Sequence, residues 1–383
     1  MNFRNTSFLL VLTALTFCTL GAQQFLDETL DYDGEIRKYK IYVPASYDGG
    51  AAVPLLFNFH GGNGDIASQV AIADMRPIAD TANFIIVYPQ ALPDPNDDGS
   101  ANWLHKEPSS IDDVFFVDAM IDAISIQYEI DQSRIYACGY SLGGEFTFEL
   151  ACRLNERIAA VGVVARTMGT AAFDNCAPSH PTGMITILGT DDFVSPYDGL
   201  EWMGIQFYLS ADDTHAYWVT HNNSSTMATV SQLPDQDPSD GSTVEHYSWA
   251  DGNGCVAVEH LKVVGGGHDW PGSFGNGDID ATQEIWDYVS TYDIDGLMDC
   301  SATTVEEALD ETLSVVVYPN PVSDHLLIGN DFVSDQVYQI FSSNGQRILS
   351  GVINSTITKI DVSALPQNSY ILEINNTIFR FTK

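Results

Sequence analysis

The feature that most constrains the fold is a regular alternation of short apolar runs with helix-like segments between residues 37 and 292. The apolar runs predict strands at 37–43, 55–59, 84–88, 134–138, 159–164, 184–188 and 256–264. The segments 112–128, 142–154 and 281–292 predict helices. This alternation is typical of the α/β class, in which helices cover both faces of a mostly parallel sheet.

The charge balance excludes some partners. The chain carries 52 acidic and 15 basic residues, a net charge of −37. Nucleic acids are bound mainly through Lys and Arg that neutralise phosphates, yet only Lys262 is basic between Arg166 and Arg347. The sequence therefore predicts no nucleic-acid partner, whereas a strong negative field favours solubility.

The first 22 residues have the pattern of a signal peptide. Arg4 supplies a positive charge, and the apolar run at 8–20 is shorter than the ~20 residues that span a bilayer. Gly21 and Ala22 are small enough for cleavage, and no later segment resembles a transmembrane helix. We therefore expect export, which permits disulfides among the five remaining cysteines. Cys138, in an apolar strand-like run, is the expected free thiol.

The composition of the sequence changes near residue 300. The acidic stretch 298–312 is typical of a linker between a large domain at 23–297 and a small one at 313–383. In the small domain, short apolar runs alternate with turn signals such as Asn344-Gly345, which predicts an antiparallel β-sandwich. Within the large domain, the polar segment 222–253 is expected to run over the surface.

The run Gly-Tyr-Ser-Leu-Gly at 139–143 fits the G-x-S-x-G nucleophile elbow. A predicted strand precedes it and a predicted helix follows, so Ser141 is expected on a strained turn with its hydroxyl exposed. A serine hydroxyl needs a base to remove its proton, and a carboxylate to orient that base. In α/β hydrolases these partners follow in the order Asp, then His.

Both partners follow apolar runs in that order. Asp191 and Asp192 come directly after 184–188, and His268 follows 261–264 within a Gly-Gly-Gly-His run. The remaining histidines lack such a position, so His268 is the predicted base. The chemistry of such a triad requires neither a metal ion nor an organic cofactor.

A glycine-rich turn after the strand 55–59 supplies the remaining element of such a site. His60-Gly61-Gly62 lies where this fold places backbone N–H groups that stabilise an oxyanion. We assign the oxyanion hole to the N–H of Leu142 and one from Gly61 or Gly62, with Gly62 preferred. His60 is interpreted as a residue that shapes the loop.

Together these motifs resemble the polyhydroxybutyrate depolymerase and feruloyl esterase family of secreted α/β hydrolases, over residues 25–295. The most distinctive piece is the Gly-Gly-His-Asp-Trp-Pro-Gly run at 266–272. The resemblance implies the α/β-hydrolase fold, with Ser141 as nucleophile, Asp192 as acid and His268 as base.

The resemblance also bears on the cysteines, and this chain departs from the family pattern in two places. The family usually has His at the position of Leu188, and a cysteine near residues 222–223 that is absent here. A Cys152–Cys176 bridge is consistent with the resemblance. The partner of Cys255 stays open, with Cys300 as a candidate.

Three aromatic residues near the motifs are predicted to bind substrate. Trp270 and Tyr197 flank the triad residues and Tyr140 lies within the elbow, and such rings stack on planar groups. The expected function is a secreted serine esterase acting on feruloyl or acetyl esters of plant or algal polysaccharide, or on small esters. The alternatives are a polyhydroxybutyrate depolymerase and, less favoured, a surface adhesin built on an inactive hydrolase fold.

The C-terminal region has its own resemblance. Val-Val-Tyr-Pro-Asn-Pro at 316–321, the Asn-Gly-Gln run at 344–346 and the terminal Lys383 resemble the type A sorting domain of the type IX secretion system in Bacteroidetes. The resemblance covers 313–383 and implies the type IX secretion machinery as a partner, with an extracellular or cell-surface location. A carbohydrate-binding sandwich is the alternative, although the region contains no tryptophan.

Overall fold

The computed structural model describes residues 23–300 apart from 96 and 105–111. It also describes 316–383 apart from 319–321, 323, 330–335, 343–345, 355–356 and 375–376. The chain divides into two compact units, Met1–Ala302 and Thr303–Lys383. The predicted signal peptide at 1–22, most of the predicted linker and the predicted Asn344-Gly345 turn lie outside the described residues.

The large unit alternates strands and helices over most of its length. In chain order its elements are β1 (Gln24–Tyr32), β2 (Glu35–Val43), β3 (Val53–Phe59), α1 (Ile66–Ile72), α2 (Arg76–Ala82), β4 (Ile85–Pro89), α3 (Asp113–Gln127), β5 (Ile130–Tyr140), α4 (Leu142–Arg153), β6 (Ala160–Val164), α5 (Thr170–Asn175), β7 (Gly183–Gly189), β8 (Leu200–Trp202), β9 (Ile205–Tyr208), α6 (Ala211–Asn222), β10 (Thr229–Gln232), β11 (Thr243–Trp249), β12 (Val258–Val264), α7 (Ala281–Val289), β13 (Tyr292–Asp293) and β14 (Gly296–Leu297).

One ten-stranded sheet organises this unit, in the order β1-β2-β4-β3-β5-β6-β7-β12-β11-β10. The central strands from β4 to β12 pair in parallel, and the strands at both edges pair antiparallel. Parallel strands are normally covered on both faces, and their apolar runs match this requirement. The carboxyl ends of β5, β7 and β12 consequently meet at one edge of the sheet.

Two apolar cores cover the two faces of the sheet. Alternate residues of β5 face opposite ways, so Ile135 and Ala137 join one core while Tyr136 and Cys138 join the other. Helices α3, α4 and α6 contribute to the first core, and α2 and α7 contribute to the second. The predicted α/β architecture is confirmed.

The polar segment 222–253 differs from its expected course. It does not only run over the surface, because β10 and β11 within it extend the sheet as its antiparallel edge. Both strands are rich in polar residues, and the edge strand β10 is exposed at all four positions, so the sequence signal is weak. The opposite edge strand, β1, was likewise not predicted.

Two disulfides join described residues. Cys152 at the end of α4 pairs with Cys176 after α5, and Cys255 pairs with Cys300. The second pair identifies Cys300 as the partner of Cys255, which the sequence left open. Cys138 is free and buried, as its apolar context predicted.

The small unit consists of antiparallel strands in two sheets. Its described strands are β15 (Val316–Tyr318), β16 (His325–Gly329), β17 (Gln336–Ser342), β18 (Arg347–Ile353), β19 (Ile357–Asp361), β20 (Ser369–Ile374) and β21 (Thr377–Thr382). The sheet β15-β16-β19 and the sheet β18-β17-β20-β21 share one apolar core, which includes Leu326, Ile340 and Leu372. Across the described parts of both units, every helix is too short or too polar to span a membrane.

Candidate active site

Ser141 occupies a strained turn between β5 and α4. Its backbone has φ 53° and ψ −121°, which is unusual for a residue with a side chain. The turn is tight enough that a Cβ on Gly139 would collide with the backbone of Gly143, and a Cβ on Gly143 would collide with the carbonyl of Phe59. Glycine at both positions therefore permits the geometry that carries the Ser141 hydroxyl at the head of α4.

Three loops at the carboxyl edge of the sheet bring Ser141, His268 and Asp192 together. They form one row of hydrogen bonds, which we call the Ser141 row. The Oγ of Ser141 lies 2.9 Å from Nε2 of His268, and Nδ1 of His268 lies 2.7 Å from Oδ2 of Asp192. With Nδ1–H donating to the carboxylate, Nε2 is free to accept the Ser141 hydroxyl proton. This is the geometry of nucleophile, base and orienting acid.

The Asp192 carboxylate is held from its other side by the backbone. Its Oδ1 accepts N–H bonds from Val194 and Ser195, each at 2.8 Å. The side chain of Asp192 is 2% exposed and that of His268 is 16% exposed. The carboxylate is therefore fixed and shielded, whereas the imidazole reaches the surface.

Asp191, the carboxylate next to Asp192 in sequence, points elsewhere. Its Oδ1 accepts from the Thr190 hydroxyl at 3.1 Å, and its N–H donates to the carbonyl of Gly266 at 2.9 Å. Asp191 thus ties its own loop to the loop that carries His268. Of these two carboxylates, the one that contacts the His268 imidazole is Asp192.

The glycine turn at 60–62 packs against the elbow. A Cβ on Gly62 would collide with the Leu142 side chain, and one on Gly61 would lie 3.3 Å from Cβ of Ser141. Within the described residues, no hydrogen bond occupies the N–H of Gly62. The backbone of this turn therefore approaches Ser141 closely enough for its N–H groups to face a group bound there.

His60 is a structural part of this turn. It is 1% exposed, its Nε2 accepts the N–H of Ala91 at 3.1 Å, and burial lowers its pKa. Its carbonyl accepts the indole N–H of Trp103, whose ring stacks on Phe146. These contacts give both residues a role in shaping the loop.

Comparison with known proteins relates the large unit to esterases. The chain is 28% identical over 268 residues to the bifunctional acetylxylan esterase/xylanase of Neocallimastix patriciarum, covering 70% of this chain and 35% of that protein. It is 26% identical over 273 residues to feruloyl esterase B of Piromyces equi, covering 67% of this chain and 46% of that protein. The chain thus spans a third to a half of the length of these two relatives. The large unit is a homologue of feruloyl and acetylxylan esterases.

A solved structure shows which fold this unit has. The acetyl xylan esterase from Aspergillus awamori aligns with a TM-score of 0.51 at 14% identity, covering 70% of this chain and 99% of that one. The large unit has the α/β-hydrolase fold. Separately, residues 316–383 match the family described as the secretion system C-terminal sorting domain.

The three aromatic residues predicted to bind substrate lie in different surroundings. Tyr140 packs beside His268, because its ring lies 5.1 Å from the His268 ring and its hydroxyl donates to the His268 carbonyl at 2.6 Å. Tyr197 faces a separate cavity and donates its hydroxyl to Nε2 of His260 at 2.9 Å. Trp270 requires a correction. It is fully buried and donates its indole N–H to Thr282, so it is a core residue without a face for substrate.

Some features of this region were missed by the sequence reasoning. Phe193 and Val194 directly follow Asp192 and are 87% and 47% exposed. The sequence shows that an apolar Phe-Val pair directly follows Asp192, but the exposure of this pair is seen only in the structure. The hydrogen bonds that join His260 and His215 to Thr186 Oγ1 have no signal in the sequence, since they connect distant segments. Within the described residues, no group of three or more His, Cys, Asp or Glu side chains is arranged to hold a metal ion.

Proposed function

We propose that the protein is a secreted serine esterase that hydrolyses carboxylic esters through Ser141, His268 and Asp192. The row of hydrogen bonds from Ser141 Oγ to His268 Nε2 and from His268 Nδ1 to Asp192 Oδ2 carries this proposal. Relatives named as esterases support it.

In the proposed reaction, the Oγ of Ser141 attacks the ester carbonyl carbon while Nε2 of His268 takes the hydroxyl proton. The carbonyl oxygen becomes an oxyanion, which accepts hydrogen bonds from the N–H groups of Leu142 and Gly62. The tetrahedral intermediate collapses, and His268 protonates the departing alkoxide to leave an acyl-Ser141. Water, deprotonated by His268, then releases the acid and restores the hydroxyl. Asp192 keeps the imidazole in the required tautomer throughout.

For the acyl group we propose a feruloyl or acetyl ester carried on a polysaccharide. The names of the relatives point to feruloyl and acetylxylan esters. The exposed Phe193 offers a ring beside the acid, on which an aromatic acyl group would stack. We further propose that residues 1–22 are a signal peptide that directs export, and that residues 313–383 are recognised by the type IX secretion machinery. The sorting-domain match of 316–383 supports this route.

The test of the nucleophile is Ser141→Ala, with Ser225→Ala at an exposed serine as the matched control. We expect Ser141→Ala to lower kcat on p-nitrophenyl acetate by roughly 10⁴-fold or more, since loss of a nucleophile leaves only residual catalysis. Phenylmethylsulfonyl fluoride should modify the wild type and Ser225→Ala, with the adduct on Ser141 by peptide mass spectrometry. An unmodified Ser141, or a Ser141→Ala variant with substantial activity, would refute the assignment.

The substrate class is tested by a panel on the mature chain. We expect release of ferulate from methyl ferulate or of acetate from acetylated xylan to exceed clearing of polyhydroxybutyrate. Strong polyester clearing without ferulate or acetate release would favour the depolymerase instead.

A further inference from the structure

A cavity of about 510 Å³ lies in the large unit, and Ser141, His268 and Asp192 are not among its lining residues. Its walls carry three aromatic rings, from Tyr197, Tyr247 and Trp249, and its polar groups include Asp198, Asp212 and Lys262. This volume is within the ~300–1,000 Å³ that is usual for small-molecule sites.

The sheet register explains why these rings meet. Tyr247 of β11 pairs with His260 of β12, which pairs with Thr186 of β7, so the three side chains share one face. Trp249 lies two residues beyond Tyr247 on the same face, and the two rings stack at 5.9 Å with 21° between their planes. Helix α6 covers this face and contributes Asp212 to the cavity.

Tyr197 is anchored in the wall by a buried chain of hydrogen bonds. Its hydroxyl donates to Nε2 of His260, and Thr186 Oγ1 lies 2.9 Å from His260 Nδ1 and 2.7 Å from His215 Nε2. Burial lowers the pKa of both imidazoles, so they stay neutral and keep these hydrogen-bonding roles. A wall fixed in this way loses little entropy when a ligand binds.

The charges around the cavity select its ligand. Lys262 Nζ lies 5.7 Å from the Tyr197 ring centre and 3.5 Å from Glu245 Oε2. With Asp198 and Asp212 also present, negative groups outnumber the single cation. In a chain with net charge −37, an anionic ligand would be repelled. Flat rings with carboxylate acceptors suit a neutral ligand that has both C–H faces and hydroxyl groups.

We propose that this cavity binds a neutral saccharide unit of the polymer that carries the ester. This inference rests on the proposed function for the identity of the polymer. An aromatic ring covers the apolar C–H face of a sugar, while Asp198, Asp212 and Lys262 hydrogen-bond its hydroxyl groups. The saccharide chain is held here while its ester group is presented to Ser141.

The cavity and the Ser141 row share one loop. Thr190, Tyr197 and Asp198 line the cavity, and Asp192 lies between them in sequence. The N–H of Gly265 donates to Thr190 Oγ1 at 2.8 Å, which ties this loop to the one carrying His268. A saccharide in the cavity is therefore bound beside the segments that hold the acid and the base.

The test measures binding of xylotetraose, which has no ester, to the full mature chain by isothermal titration calorimetry. We expect Tyr247→Ala to raise Kd about tenfold, equivalent to about 1.4 kcal/mol. Tyr247→Phe, which keeps the ring, should stay within about twofold. Asp212→Lys, at an exposed position at the cavity, should raise Kd about fivefold, even if Tyr247→Ala fails to fold. Trp202→Ala removes a 64% exposed ring outside the cavity and should leave Kd unchanged.

The outcomes separate this inference from the proposed esterase. Xylotetraose binding that depends on Tyr247 supports the subsite, even if the wild type hydrolyses no ester. If the wild type hydrolyses esters but shows no binding of xylotetraose at concentrations on the order of 10 mM, the subsite is refuted and the esterase proposal stands. Equal losses in Trp202→Ala and Tyr247→Ala would also overturn it, because binding would then lie outside the cavity.

Discussion

Strands β7 and β12 carry two clusters of polar side chains that differ in their position along the strands. At the carboxyl ends of these strands lie Asp192 and His268, in loops that reach the Ser141 hydroxyl. In the middle of the same strands lie Thr186 and His260, covered by α6. Both clusters contain an imidazole held on both nitrogens.

Their surroundings give these imidazoles different properties. His268 has a carboxylate on one nitrogen, a hydroxyl on the other and 16% of its side chain exposed. His260 is 1% exposed, its hydrogen-bond partners Thr186 and Tyr197 are neutral, and burial holds its pKa below the usual value. A histidine can exchange protons with a substrate when a carboxylate stabilises its charged form and one nitrogen reaches the surface. The buried one serves packing and orientation.

The largest expected effect comes from removing the carboxylate charge at the strand end. Asp192→Asn should lower kcat on p-nitrophenyl acetate by about 10⁴-fold, because an amide favours the wrong imidazole tautomer. Asp191→Asn is the matched control, since Asp191 contacts Thr190 and not the imidazole, and we expect a change below about threefold. Comparable losses in the two variants would contradict the assignment of the acid.

Acidification should act on two buried imidazoles, that of His260 in β12 and that of His215 in the covering helix α6. Burial lowers the pKa of His215 to about 3, whereas an unfolded histidine titrates near ~6.5. Between these values the unfolded chain binds more protons, so stability falls as pH falls below about 6.5. At pH 5 the loss from His215 is on the order of 2 kcal/mol, and His260, whose pKa burial also lowers, adds a loss of the same sign. Urea unfolding at pH 7 and pH 5 measures it.

His246 provides the internal control for this effect. Its hydrogen bond to Glu259 raises its pKa, so its contribution has the opposite sign: it is present at acid pH and lost as pH rises through the folded pKa. His246→Gln should therefore steepen the loss of stability between pH 7 and pH 5. Stability that is constant or higher at pH 5 would show that the buried imidazoles do not dominate.

The smallest expected effect is that of the hydroxyl that bridges the two buried imidazoles. Thr186→Val keeps the shape but leaves His215 and His260 without this partner, which should lower the free energy of unfolding by about 1–3 kcal/mol. Thr186→Ser keeps the hydroxyl and should lose less. In both variants kcat on p-nitrophenyl acetate should stay within about twofold. If Thr186→Val lowered kcat as much as Asp192→Asn, the polar cluster in the middle of the strands would not differ in function from the cluster at their carboxyl ends.

Much of the fold could be predicted because its parallel strands are short apolar runs that local patterns reveal. The edge strands β1 and β10 and the neighbouring strand β11 could not be predicted, since their sequences are rich in polar residues and lack a continuous apolar run. The residues of the hydrogen-bonded row could also be named, because Ser141 lies in a motif whose spacing its turn requires. His268 and Asp192 each follow a strand, where chain order and the family resemblance identify them.

The sequence by itself determined the alternating α/β pattern, the elbow around Ser141 and the order of the residues that contact it. These depend on local sterics and on strand periodicity, which neighbouring residues encode. Only the tertiary structure decided that Trp270 is buried against Thr282 and that Tyr197 faces a cavity anchored by His260. It alone paired Cys255 with Cys300. Burial and contacts between distant segments arise from the packing of the whole chain, so no local pattern specifies them.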